Sequence, residues 1–565
     1  MIERQKNPPQ KRAHLINTQT LNSFLLLLQE ENWESVYNTD NVNEIFQNFQ
    51  NILIRSFDNS FPTKLIGRTN ISNNWITKGI KISCKRKREL YLLKRNSNNP
   101  QAIRFYNKYC SILKNVITEA KKMHIRHQIH HSDNLMKTTW KVIKDSTGAT
   151  RPPSPITKIN TDNKSIEMPD EIAQAFNNFF IHVVENSDNK QVDRNRSNEL
   201  LTKTSNPEYT EMKVIPITEN EVLNTILALK TKKSSGYDGI SNRILKHCAT
   251  IIIKPLSHIC NSSLTKGIFP DRCKYALVLP IHKKGERTDR SNYRPISLIL
   301  SLSKVLEILM HNRLNQHLNS NNIIALEQYG FRKEKNIDNA IFSLTNTIAN
   351  ALNKKQVIAG LFCDLSKAFD SVNHSISLQK LSHYGVRNTC HSWFKSYLTN
   401  RQQKVVISTN EGKHTTNWDT VNSGVPQGSV LGPLLFLLYI NDLPDSLRKL
   451  AIPVIYADDT SLLIKATNAM ELHDKVNNSI YHIKEWFAVN GLTLNLDKTN
   501  IIKFSSKTRK ETSNHFSYLN TIKEMNNLSF LDRSKQDIIA EKPNRQFVAK
   551  TKQRLLCDLI NVTLL

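Results

Sequence analysis

Two adjacent carboxylates, Asp458 and Asp459, lie between two largely apolar runs of the sequence, residues 453–456 and 460–464. Such flanking runs predict a β-hairpin, and here the two acids would lie at its tip. An ordinary hairpin prefers Asn-Gly or Asp-Gly in its turn, and neighbouring carboxylates repel each other. Mg²⁺ would offset that repulsion, because this hard cation binds carboxylate oxygens together with substrate phosphates. The pair therefore indicates metal-dependent phosphate chemistry.

A third carboxylate, Asp364, follows a short apolar run of strand type, residues 357–363. A buried carboxylate there is costly unless it is paired or binds a metal. The residues alone leave open the alternative that Asp364 caps a following helix. Three carboxylates can hold two Mg²⁺ ions, one to activate a primer 3′-hydroxyl and one to steady the triphosphate and the leaving pyrophosphate. Phosphoryl transfer needs little beyond such positioning and charge neutralisation, so a sparse site is sufficient.

The charge of the 565-residue chain points to a polyanionic partner. Lysine and arginine number 78 against 49 acidic residues, so the formal net charge is +29 and the isoelectric point is about 9.7. Nucleic acid is the simplest such partner, with scattered solvated charge or a membrane surface as alternatives. The eight cysteines are spread from Cys84 to Cys557, which predicts reduced thiols in an intracellular protein. None forms a C-x-x-C pair, so no zinc knuckle or finger is predicted. The apolar runs 24–28 and 430–440 are too short to span a bilayer.

The elements that must position the acids fall between residues 211 and 506. Thr218 followed by Glu221 predicts a helix that begins with a capping box. Helical patterns alternate with short apolar runs rich in β-forming residues: 304–318 for a helix, 357–363 and 454–456 for strands. This mixture predicts an α+β domain with a central sheet.

Three further regions flank this domain. Residues 1–150 have a helical, basic pattern, and their cluster 85–88 (KRKR) suits a phosphate-contacting surface, a nuclear-localisation patch or a solvated helix face. Residues 151–210 contain a proline-rich breaker and polar, asparagine-rich sequence, which predicts a linker. Residues 507–565 form a polar, basic tail.

Eight sequence blocks, taken in order, resemble the reverse transcriptases of non-LTR (LINE-type) retrotransposons, particularly those of jockey-like mobile elements. The signature block is 456–459 (YADD), which contains the acid pair. The other blocks are 233–240 (KSSGYDGI), 279–285 (LPIHKKG), 292–298 (NYRPISL), 328–332 (QYGFR), 361–370 (LFCDLSKAFD), 424–433 (GVPQGSVLGP) and 491–499 (GLTLNLDKT). Any single block is weak evidence, whereas the ordered set is specific, and the resemblance covers about half of the chain.

The resemblance implies an α+β, right-hand polymerase with fingers and palm around a central antiparallel sheet. It implies that the protein copies RNA into DNA with two Mg²⁺ ions held by Asp364, Asp458 and Asp459. An RNA template, a DNA primer or target, and deoxynucleoside triphosphates (dNTPs) are the implied partners, with action in the nucleus. The residues implied to contact substrate are Lys283 and Arg294 on the triphosphate, Phe369 as a gate against the ribose 2′-hydroxyl, Gln427 and Gly428 beside the base pair, and Lys498 near the departing pyrophosphate.

Each of these substrate roles has a structural alternative. Arg294 would instead pair with a carboxylate, Phe369 would pack in the core, Gln427 and Gly428 would form a plain turn, and Lys498 would be a surface lysine.

The two ends of the chain differ from the family pattern. Residues 32–148 resemble the linker that follows the endonuclease of such elements, and no endonuclease or RNase H motif is visible, so target cleavage is not expected. Residues 507–565 do not resemble the helical thumb that follows in relatives, which predicts a truncated copy or a gene model that leaves the element. The alternative function is therefore a nucleic-acid-binding remnant without turnover. A phosphohydrolase is disfavoured by the absence of a Walker A loop.

Overall fold

The computed structural model describes residues 11–66, 75–96, 99–132, 134–147, 155–161, 164–182, 194–204, 209–232, 234–409, 412–504 and 523–524. The chain divides into two compact units. The smaller unit comprises Met1–His14, Thr63–Ile156 and Asn410–Gly412, and the larger comprises Leu15–Pro62, Thr157–Thr409 and Lys413–Leu565. Apart from residues 523 and 524, the predicted tail 507–565 lies outside the described residues.

Eighteen α-helices lie within the described part of the chain. They are α1 (Thr18–Gln29), α2 (Glu34–Tyr37), α3 (Val42–Ser60), α4 (Lys78–Arg95), α5 (Pro100–His130), α6 (Leu135–Ser146), α7 (Pro169–Ile181), α8 (Arg194–Thr204), α9 (Glu219–Ala228), α10 (Asn242–His247), α11 (Ala249–Lys266), α12 (Ser301–Ser320), α13 (Ile337–Asn353), α14 (His374–His383), α15 (Asn388–Leu398), α16 (Leu431–Tyr439), α17 (Leu443–Leu447) and α18 (Ala469–Val489).

The same residues form fourteen strands. They are β1 (Lys11–His14), β2 (Thr63–Ile66), β3 (Ile159–Thr161), β4 (Lys164–Ile166), β5 (Tyr275–His282), β6 (Tyr293–Leu298), β7 (Val357–Cys363), β8 (Arg401–Ser408), β9 (Lys413–Thr415), β10 (Asp419–Val421), β11 (Ile452–Tyr456), β12 (Asp459–Ala466), β13 (Asn500–Phe504) and β14 (Lys523–Glu524).

The smaller unit contains the long helices α4 and α5, which pack against each other, and the β1–β2 pair. Thr77 caps α4, and Asn99 caps α5, which has Pro100 in its first turn. These are the residue types that helix N-termini favour. The basic residues 85–88 lie exposed on α4, and their predicted contact with phosphates stays a prediction.

A mixed sheet lies at the centre of the larger unit, in the strand order β11-β12-β7-β13-β14. All of its pairs are antiparallel except β13–β14. Both faces are covered: Leu462 and Ile464 of β12 join the main hydrophobic core with α18, whereas Leu463 joins a second cluster with α13. Burial on both faces explains why these strands have nearly continuous apolar sequences. The larger unit therefore has the predicted α+β class.

The second sheet has the order β10-β8-β5-β6, with β9 paired to β8. Its β5–β6 hairpin is antiparallel, whereas β5 and β8 run parallel. It contains two of the resembling blocks, 279–285 and 292–298.

Helix α9 begins at the predicted place, where the Thr218 side chain accepts a hydrogen bond from the Glu221 N–H, which is one of the two bonds of the predicted capping box. The carboxylate of Glu221 binds the Arg313 guanidinium on α12 through two contacts of 2.8 and 3.0 Å. The helix predicted at 304–318 is also present, as part of α12. Helices α1 to α3 lie in the larger unit, and the boundaries predicted near residues 150, 210 and 506 stay predictions.

In the part of the chain that the structure describes, no helix combines the length and apolarity needed to cross a membrane.

Candidate functional site

The predicted hairpin is present, and the two acids lie at its end. Strands β11 and β12 pair antiparallel up to Tyr456 and Asp459, so that Ala457 and Asp458 form the connecting loop. Ala457 has a φ of 57°, a left-handed conformation that costs a non-glycine residue about 1–2 kcal/mol. Strain of this kind persists only where neighbouring groups hold the backbone.

Asp364 reaches the same end of the sheet. Strands β7 and β12 pair antiparallel with Cys363 opposite Thr460, so the next position along β7 lies opposite Asp459. The side chains of Asp364, Asp458 and Asp459 are partly exposed there. The register thus brings the three predicted aspartates to the same end of the strands of this sheet.

The helix-cap alternative for Asp364 is excluded by the residues that follow it. Leu365 forms an isolated β-bridge with Leu494, and residues 366–371 form turns. The next helix, α14, is capped by Asn373, whose side chain accepts from the N–H groups of Ser375 and Ile376. Asp364 therefore lies at a strand end without a helix to cap.

Gln328, for which no role was predicted, holds the hairpin loop. Its Oε1 accepts from the N–H of Ala457 (2.9 Å) and from the N–H of Gly330 (2.8 Å). Gln328 is 3% exposed, and the N–H of the neighbouring Tyr329 donates to the Ile455 carbonyl (2.8 Å). The block 328–332 is therefore a brace behind the paired acids. Its glutamine could be recognised from the sequence only as part of a block.

Lys283 links the cations that are predicted to contact phosphates. Lys498 Nζ lies 3.2 Å from Asp364 Oδ2, with both side chains partly exposed. Burial lowers the pKa of Lys283, and the nearby charges of Arg294 and Lys498 lower it further. Lys283 is thus within electrostatic range of Arg294, Lys498 and Asp364, as a residue of a triphosphate site should be.

Phe369 lies between the core and the open side of the site. Its ring centroid is 4.7 Å from that of the buried Phe436 and 6.3 Å from that of Phe331, which is 45% exposed. Phe331 has a φ of 53°, a second strained position beside the site. The core contact agrees with the packing alternative, and the partial exposure leaves the gate role as a prediction.

Gln427 and Gly428 lie in a loop that approaches other backbone closely. Gln427 Nε2 donates to both carboxylate oxygens of Asp370 (2.9 and 3.0 Å). Gly428 has a φ of 140°, and a Cβ there would lie 2.5 Å from the Ser297 carbonyl oxygen. Only glycine fits this position. Their predicted contact with a base pair stays a prediction.

Asp370→Asn is expected to stabilise the protein at pH 8 but not at pH 4. Burial raises the pKa of Asp370 from its ordinary 3.8 to about 6, although Gln427 and Lys367 oppose the rise. Since the folded state holds this proton more tightly than the unfolded state, wild-type stability falls as the pH rises through this range. Urea unfolding at several pH values measures the difference. An equal increase in the free energy of unfolding at pH 4 and pH 8 would contradict this prediction. Asp474→Asn, at an exposed position, is the control.

The donor set suits a hard divalent cation, because carboxylate oxygens are what such ions bind. Among the described residues, no three His, Cys, Asp or Glu side chains lie close enough as placed to hold a metal ion. The Asp364 carboxylate is engaged by Lys498 through Oδ2. A metal ion bound at this oxygen would therefore compete with the Lys498 ammonium group.

A strand-end aspartate opposite an acid-bearing hairpin, with cations close by, is an arrangement suited to nucleotidyl transfer. Residues 281–531 match the family described as reverse transcriptase (RNA-dependent DNA polymerase). The match includes every predicted site residue. Residues 281–531 are therefore similar to the reverse transcriptase family.

Two of the relatives that the chain resembles are named as polymerases of mobile elements. The chain is 33% identical over 324 residues to the "Probable RNA-directed DNA polymerase from transposon BS" of Drosophila melanogaster, which is 55% of this chain and 34% of that protein. It is 30% identical over 299 residues to the "RNA-directed DNA polymerase from mobile element jockey" of the same species, covering 52% of this chain and 32% of the relative. The chain thus spans about a third of these relatives' length. The predicted resemblance to jockey-like non-LTR reverse transcriptases is confirmed, and the binding-remnant alternative is not favoured.

Proposed function

We propose that the chain is an RNA-directed DNA polymerase that adds deoxynucleotides to a primer 3′-hydroxyl on an RNA template. The observation that carries this is the β7–β12 register, which places Asp364 opposite Asp459 at the hairpin end that also holds Asp458. Two divalent ions, which we take to be Mg²⁺, would activate the hydroxyl and neutralise the triphosphate when bound by these carboxylates.

The nearby cations would bind the substrate's phosphates. Lys283 and Arg294 would hold the triphosphate, Arg294 with the two-pronged geometry that guanidinium offers to phosphate oxygens. Lys498 now pairs with Asp364, and phosphate oxygens would compete for its ammonium group. We propose that nucleotide entry transfers Lys498 from the carboxylate to the pyrophosphate portion, which leaves Asp364 available as a ligand.

The two five-stranded sheets of the larger unit suit a right-hand polymerase. We assign the central sheet to the palm and the sheet β10-β8-β5-β6 to the fingers, because the acids lie on the first and Arg294 on the second. The basic charge of the chain suits an RNA template and a DNA primer or target as partners. Action in the nucleus is part of this proposal.

The chemistry can be tested with a heteropolymeric RNA template and a DNA primer. Template-directed synthesis predicts that omission of one dNTP stops extension at each position where the RNA calls for it. Asp364→Asn is the control, since it removes one ligand charge and keeps the side chain's size. Addition that ignores the template sequence, or that persists at the wild-type rate in Asp364→Asn, would contradict the proposal.

Phe369→Ala is expected to reduce discrimination against ribonucleotides by at least about tenfold, because it removes the bulk that would meet a 2′-hydroxyl. The measurement is the ratio of kcat/KM for dTTP and UTP on one template. Phe369→Tyr keeps the ring and should keep the discrimination. An unchanged ratio in Phe369→Ala would show that Phe369 is no gate and that its role is to pack against Phe436.

A further inference from the structure

Helix α16 begins directly after the loop 424–430, which carries Gln427 and Gly428, and within this segment the Ser429 Oγ accepts a hydrogen bond from the Gly432 N–H at 3.0 Å. The N–H groups of Val430 and Leu431 donate instead to Glu307 Oε2, at 2.6 and 3.2 Å. Glu307 belongs to α12 and lies 123 residues from Val430 in sequence. A carboxylate from another helix thus satisfies two N–H groups that a helix start leaves without partners, where negative charge is also favoured.

Glu307 is fully buried, with 0% exposure. Its Oε1 accepts from Ser303 Oγ at 3.2 Å, and the buried Arg401 guanidinium lies within electrostatic range. Burial raises the pKa of Glu307, while Arg401 and the two amides act in the opposite direction. A buried charge is expensive compared with an apolar residue of similar size, so packing alone does not account for a carboxylate here.

The loop 424–430, whose last residue donates to Glu307, is also held by close backbone contacts along the rest of its length. A Cβ at Gly424 would lie 2.7 Å from the Asp370 carbonyl oxygen, and one at Gly428 would lie 2.5 Å from that of Ser297. The Ser297 N–H donates to the Gln427 carbonyl (3.0 Å), which ties the loop to β6, the strand of Arg294. Since the loop is fixed along its length, a displacement where it enters α16 would be transmitted to Gln427.

We infer that Glu307 is a positioning residue for nucleotide insertion: it fixes the start of α16 and thereby sets the loop that carries Gln427 and Gly428. The inference rests on the proposed polymerase function. It adds a residue outside the resembling blocks to the set that determines nucleotide affinity.

The test compares Glu307→Ala with Glu307→Gln and with Asp442→Asn in the full-length protein. Asp442 is a matched control, because it is a buried carboxylate (3% exposed) just beyond the other end of α16, paired with Lys380. The measurements are dNTP KM and kcat in primer extension, and amide hydrogen exchange of peptides covering residues 424–433. Thermal unfolding reports the general loss of stability.

Glu307→Ala is expected to raise the dNTP KM about tenfold, to lower kcat less, and to speed exchange in the loop and first turn of α16. Glu307→Gln should keep the dNTP KM and the loop exchange close to wild type, because its amide oxygen can accept from the same two N–H groups. Asp442→Asn should lower stability without either effect. Equal effects of Glu307→Ala and Asp442→Asn, or unchanged KM and exchange in Glu307→Ala, would overturn the inference.

Two results separate this inference from the proposed function. If the wild type extends no primer, the polymerase proposal fails, and loop exchange alone decides whether Glu307 positions the loop. If Glu307→Ala does not fold, Glu307→Asp takes its place and is compared with Glu307→Gln. The amide exchange of the loop and the dNTP KM of these two variants then test the inference. The shorter Asp side chain should show the loosened loop and the raised KM, and wild-type values for Asp would overturn the inference.

Discussion

Asp458→Asn and Asp459→Asn should each reduce DNA synthesis by about a thousandfold or more. Each change removes one ligand charge from a site that must neutralise the triphosphate, and several kcal/mol of transition-state stabilisation correspond to a loss of that size. RNA binding should remain close to wild type, because phosphate contacts on basic surface dominate affinity. Single-turnover extension measures the first quantity, and fluorescence anisotropy of a labelled template–primer measures the second.

Asp474→Asn is the matched control for both variants. It removes the same charge from an exposed position on α18 in the same unit and should leave synthesis unchanged. Near-normal synthesis in either hairpin variant would show that the metal-ligand assignment is wrong. An equal loss of RNA binding and synthesis would mean that the acids support the fold and not the chemistry.

Gly330→Ala should lower synthesis about a hundredfold without contact with any substrate. A Cβ at this position would lie 2.4 Å from the backbone nitrogen of Ala457 and 3.0 Å from its Cα. Backbone atoms cannot rotate aside, so the loop carrying Asp458 must move, and misplacement by about 1 Å can cost a factor of that size. Primer-extension kcat/KM and thermal unfolding are the measurements.

Gly79→Ala provides the comparison. Its Cβ would meet only Thr77 Oγ1, at 3.8 Å, and alanine has a higher helix propensity than glycine at this position in the first turn of α4. This variant should therefore match or exceed the wild-type stability and keep full activity. Wild-type activity in Gly330→Ala would show that the hairpin tolerates displacement, and that the brace formed by residues 328–332 does not matter for catalysis.

The sequence predicted the parts of the site that depend on local pattern. Apolar runs around Asp458 and Asp459 sufficed for the hairpin, and an apolar run ending at Asp364 sufficed for the strand. The antiparallel register that joins them was expected only through the family resemblance. The alternative that Asp364 caps a following helix is wrong, because residues 366–371 form turns that depend on distant contacts such as the hydrogen bond from the Ser366 N–H to the Thr493 carbonyl (3.0 Å).

The residues that hold the site were not predictable in the same way. Gln328 and Ala457 are 129 residues apart, and Glu307 and Val430 are 123 apart. A buried polar residue of this kind differs from an ordinary surface residue only through its partners, which no local pattern reveals. Asp370 is similar, since its burial and its bonds to Gln427 arise from the fold.

The central claim is tested most directly by primer extension on poly(rA)/oligo(dT) with Mg²⁺, with wild type beside Asp459→Asn. The account predicts dTTP incorporation that requires the RNA template and is lost in the variant, while both proteins bind the template–primer equally. Folded wild-type protein that binds the template–primer and incorporates nothing, or incorporation that Asp459→Asn retains, would contradict it.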